Sequence, residues 1–121
     1  MNTTTLTGNL TKDPEIRYTS EGHDLANFSI AVNRRYQTNG EWQEQTSFFD
    51  VICWRDLAEN AALSLSKGDR VTVTGYLEQR TWTTSEGQNR SRIELVADDI
   101  GVSLKFRSIS KSQPEYTSAE F

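Results

Sequence analysis

Asp56-Leu57-Ala58-Glu59-Asn60-Ala61-Ala62-Leu63-Ser64-Leu65-Ser66-Lys67-Gly68 is the stretch that decides the fold. Leu57, Ala58, Ala61, Ala62 and Leu65 recur at helical spacing, which makes one stripe of a helix apolar. Asp56, with Glu59 three residues on, has the pattern of a capping box. Gly68 supplies a left-handed stop. The spacing predicts one helix over 56–67. On both sides of it the apolar residues alternate instead, which is the strand period. One helix cannot cover both sides of an open sheet built from such long strands. The economical solution is a small closed barrel with the helix plugging one end.

Working outward, residues 2–11 read as a Thr-rich strand carrying Leu6 and Leu10. Asp13-Pro14 is a turn signal, and Ile16-Arg17-Tyr18 is a short strand closed by the polar turn Ser20–Asp24. Ala26, Phe28, Ile30 and Val32 alternate with Asn27, Ser29, Ala31 and Asn33, the pattern of a half-buried strand, which runs into Arg34-Arg35-Tyr36. Thr38-Asn39-Gly40-Glu41 makes a loop tip, and a long strand follows from Thr46 to Trp54. Beyond the helix, Arg70–Arg80 puts Val71, Val73, Gly75 and Leu77 on one face, with Arg70, Thr72, Thr74, Tyr76, Glu78 and Arg80 on the other. Ser85-Glu86-Gly87-Gln88 is the tip of a long hairpin, whose return arm, Ser91–Ala97, turns Ile93, Leu95 and Ala97 inward. A final strand is expected over 100–109. The expected fold is therefore all-β: an OB-fold, a five-stranded Greek-key barrel over 1–109, with one helix after the third strand. A β-sandwich competes, and the mid-chain helix counts against it. From Ser110 the chain is polar and aperiodic, so 110–121 is expected to be a disordered tail.

The chain has 121 residues, enough for one domain with a real core, although its apolar share of 35% is low. No run approaches the ~20 apolar residues of a membrane span. The first residues lack the basic start and apolar centre of a signal peptide. Cys53 is the only cysteine, so no internal disulfide can form. These features point to a cytoplasmic protein without a membrane partner. With 13 basic and 17 acidic residues the net charge is −4, which argues against binding nucleic acid by bulk charge. A local patch is still allowed. Basic residues gather at Arg34-Arg35, Arg80, Arg90 and Arg92, and acids at Glu41, Glu44, Asp56, Glu59, Asp98 and Asp99.

Aromatic residues supply the chemistry. Phe48 and Trp54 fall on one strand parity, and Trp82 shares parity with Arg80 and Tyr76. Parity alone permits two uses, barrel filling or exposed platforms. Exposed flat rings among arginines suit unpaired bases, because every base has a π-face and every nucleotide a phosphate. Lone His23 and distant Cys53 make no metal site, and Asp98-Asp99 has no nucleophile or base beside it. Gly68 and Gly75 do not form a phosphate loop. The chain reads as a non-enzyme that needs no cofactor.

The motifs resemble those of the bacterial-type single-stranded DNA-binding protein family. The matching pieces are Gly8–Tyr18, Ala26–Val32, Leu57–Asn60 leading to Leu65–Gly68, and Val71–Leu77 with Arg80-Thr81-Trp82, in that order over residues 1–109. The resemblance implies an OB-fold that binds single-stranded DNA in replication, recombination or repair. It implies stacking at Phe48, Trp54 and Trp82, with Arg34, Arg35, Arg80, Arg90 and Arg92 along the backbone. Tyr76 lies on the same parity; Arg17 and Arg55 are weaker candidates. It also implies a homotetramer, in which the first strand contributes to one subunit contact.

There are three departures. The place where many members carry a stacking Trp falls near Arg34, with Trp42 in the following arm. Phe49 stands where many carry a His at the subunit interface. The tail is short, and Glu120-Phe121 only faintly matches the acidic tip through which members recruit replication and repair proteins. These departures keep open a second reading, an OB-fold assembly module of a replication-restart or DNA-uptake complex with weak DNA affinity. Single-stranded RNA would use the same surface.

Overall fold

Side-chain alternation, carried through six strands among the described residues, builds the fold. The computed structural model describes residues 1–110 and 114–119. The elements in order are β1 (Thr4–Leu10), β2 (Glu15–Tyr18), β3 (Asp24–Thr38), β4 (Glu41–Trp54), α1 (Arg55–Ser64), β5 (Arg70–Thr83) and β6 (Asn89–Val102). The sheet order is β1-β5-β6-β4-β3-β2, and β1 pairs again with β3. That extra pairing, Asn9 with Ala31 and Leu10 with Ile30, closes five strands into a barrel and leaves β2 as an outer flap on β3. Most pairings are antiparallel; β4 and β6 run parallel through Val51–Leu95 and Ile52–Val96. The parallel pair needs a long crossover, which α1 and β5 together supply between β4 and β6.

The core takes one parity from each barrel strand. Phe28, Ile30, Val51, Cys53, Val71, Val73 and Leu95 are fully buried, and Leu10, Ala26 and Ala97 join them. Ala58, Ala61 and Leu65 close the end from the helix side. Cys53 is inaccessible, and burial pushes its thiol up from 9.0 to about 11.

Several boundaries differ from the sequence expectation. The helix follows the fourth strand in chain order; it follows the third only when the short β2, outside the barrel, is left uncounted. It spans Arg55–Ser64 rather than 56–67. Trp54 occupies the N-cap position without a side-chain cap bond, so Asp56 lies within the first turn and the capping box does not form. There its charge still favours the helix N-terminus. The helix ends early because Leu65 turns extended, at φ −101° and ψ 146°, and buries its side chain in the barrel end. Gly68 lies in the turn beyond, where its N–H donates to the Leu10 carbonyl at 2.8 Å.

The expected return arm and final strand are one strand, β6, which stops at Val102, so 103–109 is not strand. Asp98 is the extra residue of a bulge, since Thr74 pairs with Asp99 and Gly75 with Ala97. Leu77 is exposed, although its cross-strand partner Leu95 is buried. Ile93 keeps the inward parity but is 63% exposed, because the β5–β6 hairpin runs past the barrel core there. The β3–β4 hairpin does the same. Its strands pair down to Thr38–Glu41, so only Asn39 and Gly40 form the turn, at φ 51° and 79°. Those positive angles are the two-residue hairpin geometry that Asn-Gly favours. Residues 114–119 carry no regular structure; the acidic tip at Glu120-Phe121 lies outside the described residues.

Two outcomes follow. A Cβ added at Gly75 would collide with the Val96 carbonyl oxygen beside the bulge. Gly75→Ala is expected to destabilise the barrel by about 1–3 kcal/mol, read from the urea midpoint. Cys53 keeps its proton in the folded state while the unfolded thiol ionises near 9.0. The unfolded chain then binds fewer protons, so stability falls as pH rises from 9.0 towards about 11. Cys53→Ser titrated over the same range should lose that component of the slope; an identical slope would show that another group carries it.

Candidate nucleic-acid interface

The parity opposite the core forms one continuous outer wall. On β4 it carries Phe48, Asp50, Ile52 and Trp54, which pair on β3 with Ala31, Ser29, Asn27 and Leu25. Val96 lies beside Ile52 across the parallel pairing, and Glu94 and Arg92 continue that face of β6. On β5, Tyr76, Glu78, Arg80 and Trp82 pair with Val96, Glu94, Arg92 and Arg90. Arg17 on β2 opposes Leu25, which opposes Trp54. Residues from five strands therefore meet on one side of the barrel.

The rings are exposed there. Phe48 is 68% accessible, Trp54 41% and Trp82 38%. Of the two uses parity allows, barrel filling does not occur: the rings lie on the outer wall. A groove of about 270 Å³ lies beside Trp54, lined also by Arg17, Ile52, Arg80, Arg92 and Glu94. The guanidinium carbons of Arg80 and Arg92 lie 5.1 and 5.7 Å from the centre of the Trp82 ring, within cation–π range.

Both arginines are also held by carboxylates that sequence reading did not pick out. Arg80 Nε donates to Glu94 Oε1 at 3.0 Å, and the Glu94 side chain is 10% exposed. Arg92 Nε lies 3.7 Å from Asp50 Oδ2, and Ser29 Oγ donates to the other Asp50 oxygen at 2.7 Å. The sequence set basic clusters apart from acidic ones; the register interleaves them. A guanidinium has five N–H donors. One pairing therefore fixes its position and leaves others for a phosphate. Neither Asp50 nor Glu94 is visible in the sequence as an arginine partner, since each pairing depends on strand register.

Other expected residues divide. Tyr76 lies on the wall and is partly exposed. Arg90 pairs with Trp82 across the hairpin and donates to Gln88 Oε1 at 2.9 Å. Arg55 is exposed at the start of α1, with φ 59°. Arg34 and Arg35 do not act as a pair, because neighbouring strand residues face opposite ways. Arg35 lies on the outer wall with Trp42, 5.1 Å from its ring, whereas Arg34 lies on the other side of the hairpin, 5.0 Å from Tyr36. Phe49 takes the core parity and packs against the barrel interior.

Fold and wall together define the class: an OB-fold module that displays aromatic rings and arginines on one outer side of its barrel. Comparison with known proteins narrows it. Residues 1–103 match the model of the single-strand binding protein family. The single-stranded DNA-binding protein of Paenarthrobacter aurescens is 47% identical over 107 residues, covering 86% of this chain and 63% of the relative. That of Mycobacterium tuberculosis is 45% identical over 107 residues, with 86% and 65% covered. That of Corynebacterium glutamicum is 49% identical over 106 residues, with 84% and 47% covered. Among solved structures, the Plasmodium falciparum SSB in complex with ssDNA superposes with a TM-score of 0.78 at 25% identity, covering 85% of this chain and 95% of that one. The chain belongs to the single-strand binding protein family. It spans less than two thirds of the length of these bacterial relatives.

Proposed function

We propose that the protein binds and protects single-stranded DNA without reading its sequence, in replication, recombination or repair. The observation that carries this reading is the exposure of Phe48, Trp54 and Trp82 on one wall, with Arg17 beside Trp54 and with Arg80 and Arg92 beside Trp54 and Trp82. Bases stack on the rings, and guanidinium groups follow the phosphates. Arg35 and Arg90 extend the phosphate path along the two hairpins, and Tyr76 borders it. Duplex DNA is refused because its bases are already paired and stacked, with no free faces to offer. No reacting group or cofactor takes part. Residues 1–109 serve as the binding domain, and the tail beyond it recruits replication and repair proteins. The protein works in the cytoplasm on exposed nucleoid DNA. It acts as a homotetramer, so that weak contacts on several walls are multiplied through effective concentration.

Titration with oligo(dT) followed by tryptophan emission tests the wall. Strong, saturable quenching is expected, with log affinity falling by about 0.7 per phosphate contact for each tenfold rise in salt. Trp54→Ala and Trp82→Ala should each weaken binding by about 1–3 kcal/mol, roughly 5- to 150-fold, with the fold intact. Unchanged affinity in the double variant would favour the assembly-module reading instead. Light scattering should return the mass of four chains; a monomer would remove the tetramer from this proposal.

A further inference from the structure

We infer that Trp42, at the tip of the β3–β4 arm, is a further base-stacking platform, and that Arg35 holds its ring in place; this rests on the single-strand binding reading above. Register makes the case. Gln37 pairs with Trp42, Arg35 with Glu44, Ala31 with Phe48 and Leu25 with Trp54. Directly opposed residues share a face, and alternate residues along a strand do too. Trp42, Phe48 and Trp54 therefore project from the same side of one continuous strand, six residues apart each time. At ~3.3 Å per residue the steps are about 20 Å, before twist and curvature. The line of rings runs off the barrel and out along the arm.

Three further observations favour a ligand over a merely decorative ring. Trp42 is 62% exposed, so it contributes little to burial within the protein. Its partnership with Arg35 at 5.1 Å repeats the 5.1 Å arrangement of Arg80 and Trp82 on the barrel wall. The ring is also carried on a defined ribbon: the two strands stay paired to the last residues before the Asn39-Gly40 turn, and Thr46 Oγ1 donates to Asn33 Oδ1 at 2.7 Å near the base of the arm. A ring held this way loses little freedom when a base stacks on it. Glu44 opposes Arg35 across the hairpin, so the net charge of this face is small and the ring dominates the contact.

The same geometry sets the arm apart from the barrel groove. A short strand of DNA can fill the wall around Trp54 and Trp82 without reaching Trp42. Only a longer one can engage both. The arm thus lengthens the occupied site rather than strengthening its centre.

The test is Trp42→Ala, with Trp42→Phe beside it, titrated with two oligo(dT) probes. One lies near the lower end and one near the upper end of the roughly 4–16 nucleotides such a barrel occupies. Trp54 and Trp82 still report binding by their emission. The expected result is unchanged affinity for the short probe and a loss on the order of tenfold for the long one, with the salt slope unchanged and Phe restoring most of the loss. Equal affinity of wild type and Trp42→Ala for the long probe, with quenching of Trp54 and Trp82 intact, would overturn the platform and leave the wall standing. Absence of quenching in the wild type would remove both.

Discussion

Closure of the barrel by β1 is the constraint on which the rest depends. This one strand pairs with β5 over Thr4–Asn9 and with β3 at Asn9 and Leu10. Its end is tied to the turn after the helix: the Leu10 N–H donates to the Asp69 carbonyl, and the Leu10 carbonyl accepts from Gly68. Without that staple the sheet would have two free edges and no inside. With it, one parity of every strand is enclosed and the other becomes an outer wall. The buried set from Leu10 to Ala97 is apolar, and its burial supplies the main driving force. The rings of Phe48, Trp54 and Trp82 are exposed because they sit on the parity that closure turns outward.

The wall is more balanced than a simple cationic surface. Asp50 and Glu94 sit among its arginines and hold two of them. Such pairs on a partly exposed surface add little stability. Their effect is on geometry and net charge. They keep Arg80 and Arg92 beside Trp82, and they offset part of the wall's positive charge. This agrees with a chain whose net charge is −4. On the proposed function, stacking, which requires unpaired bases, would contribute more to affinity than charge, which does not.

Long alternating runs were legible because packing and parity agree in them. The Ala26–Val32 pattern is the buried face of β3, and Val71, Val73 and Gly75 are that of β5. The helix was legible in kind and wrong at both ends. Leu65 satisfies the helical stripe equally well as a helical residue or as an extended one that plugs the barrel, and tertiary packing selects the second. Ile93 shows the reverse failure. Alternation marks a side, but whether that side is covered depends on how far the barrel extends beneath it. Arg34-Arg35 looked like a unit in sequence and is divided between the two sides of a ribbon.

By itself, the sequence determined the class of fold and singled out the rings and arginines as the candidate chemistry. One helical stripe among alternating runs admits few architectures, and rings grouped by parity with arginines admit few ligands. These are local properties, carried by spacing along the chain. Tertiary structure alone decided which residues meet. Arg80 with Glu94, Arg92 with Asp50 and Trp82, and Arg17 with Trp54 are joined by register across strands distant in sequence. A one-residue slip in any pairing would send these side chains to the other face. Register is set by closure and by the bulge at Asp98, and no spacing within a single strand encodes it.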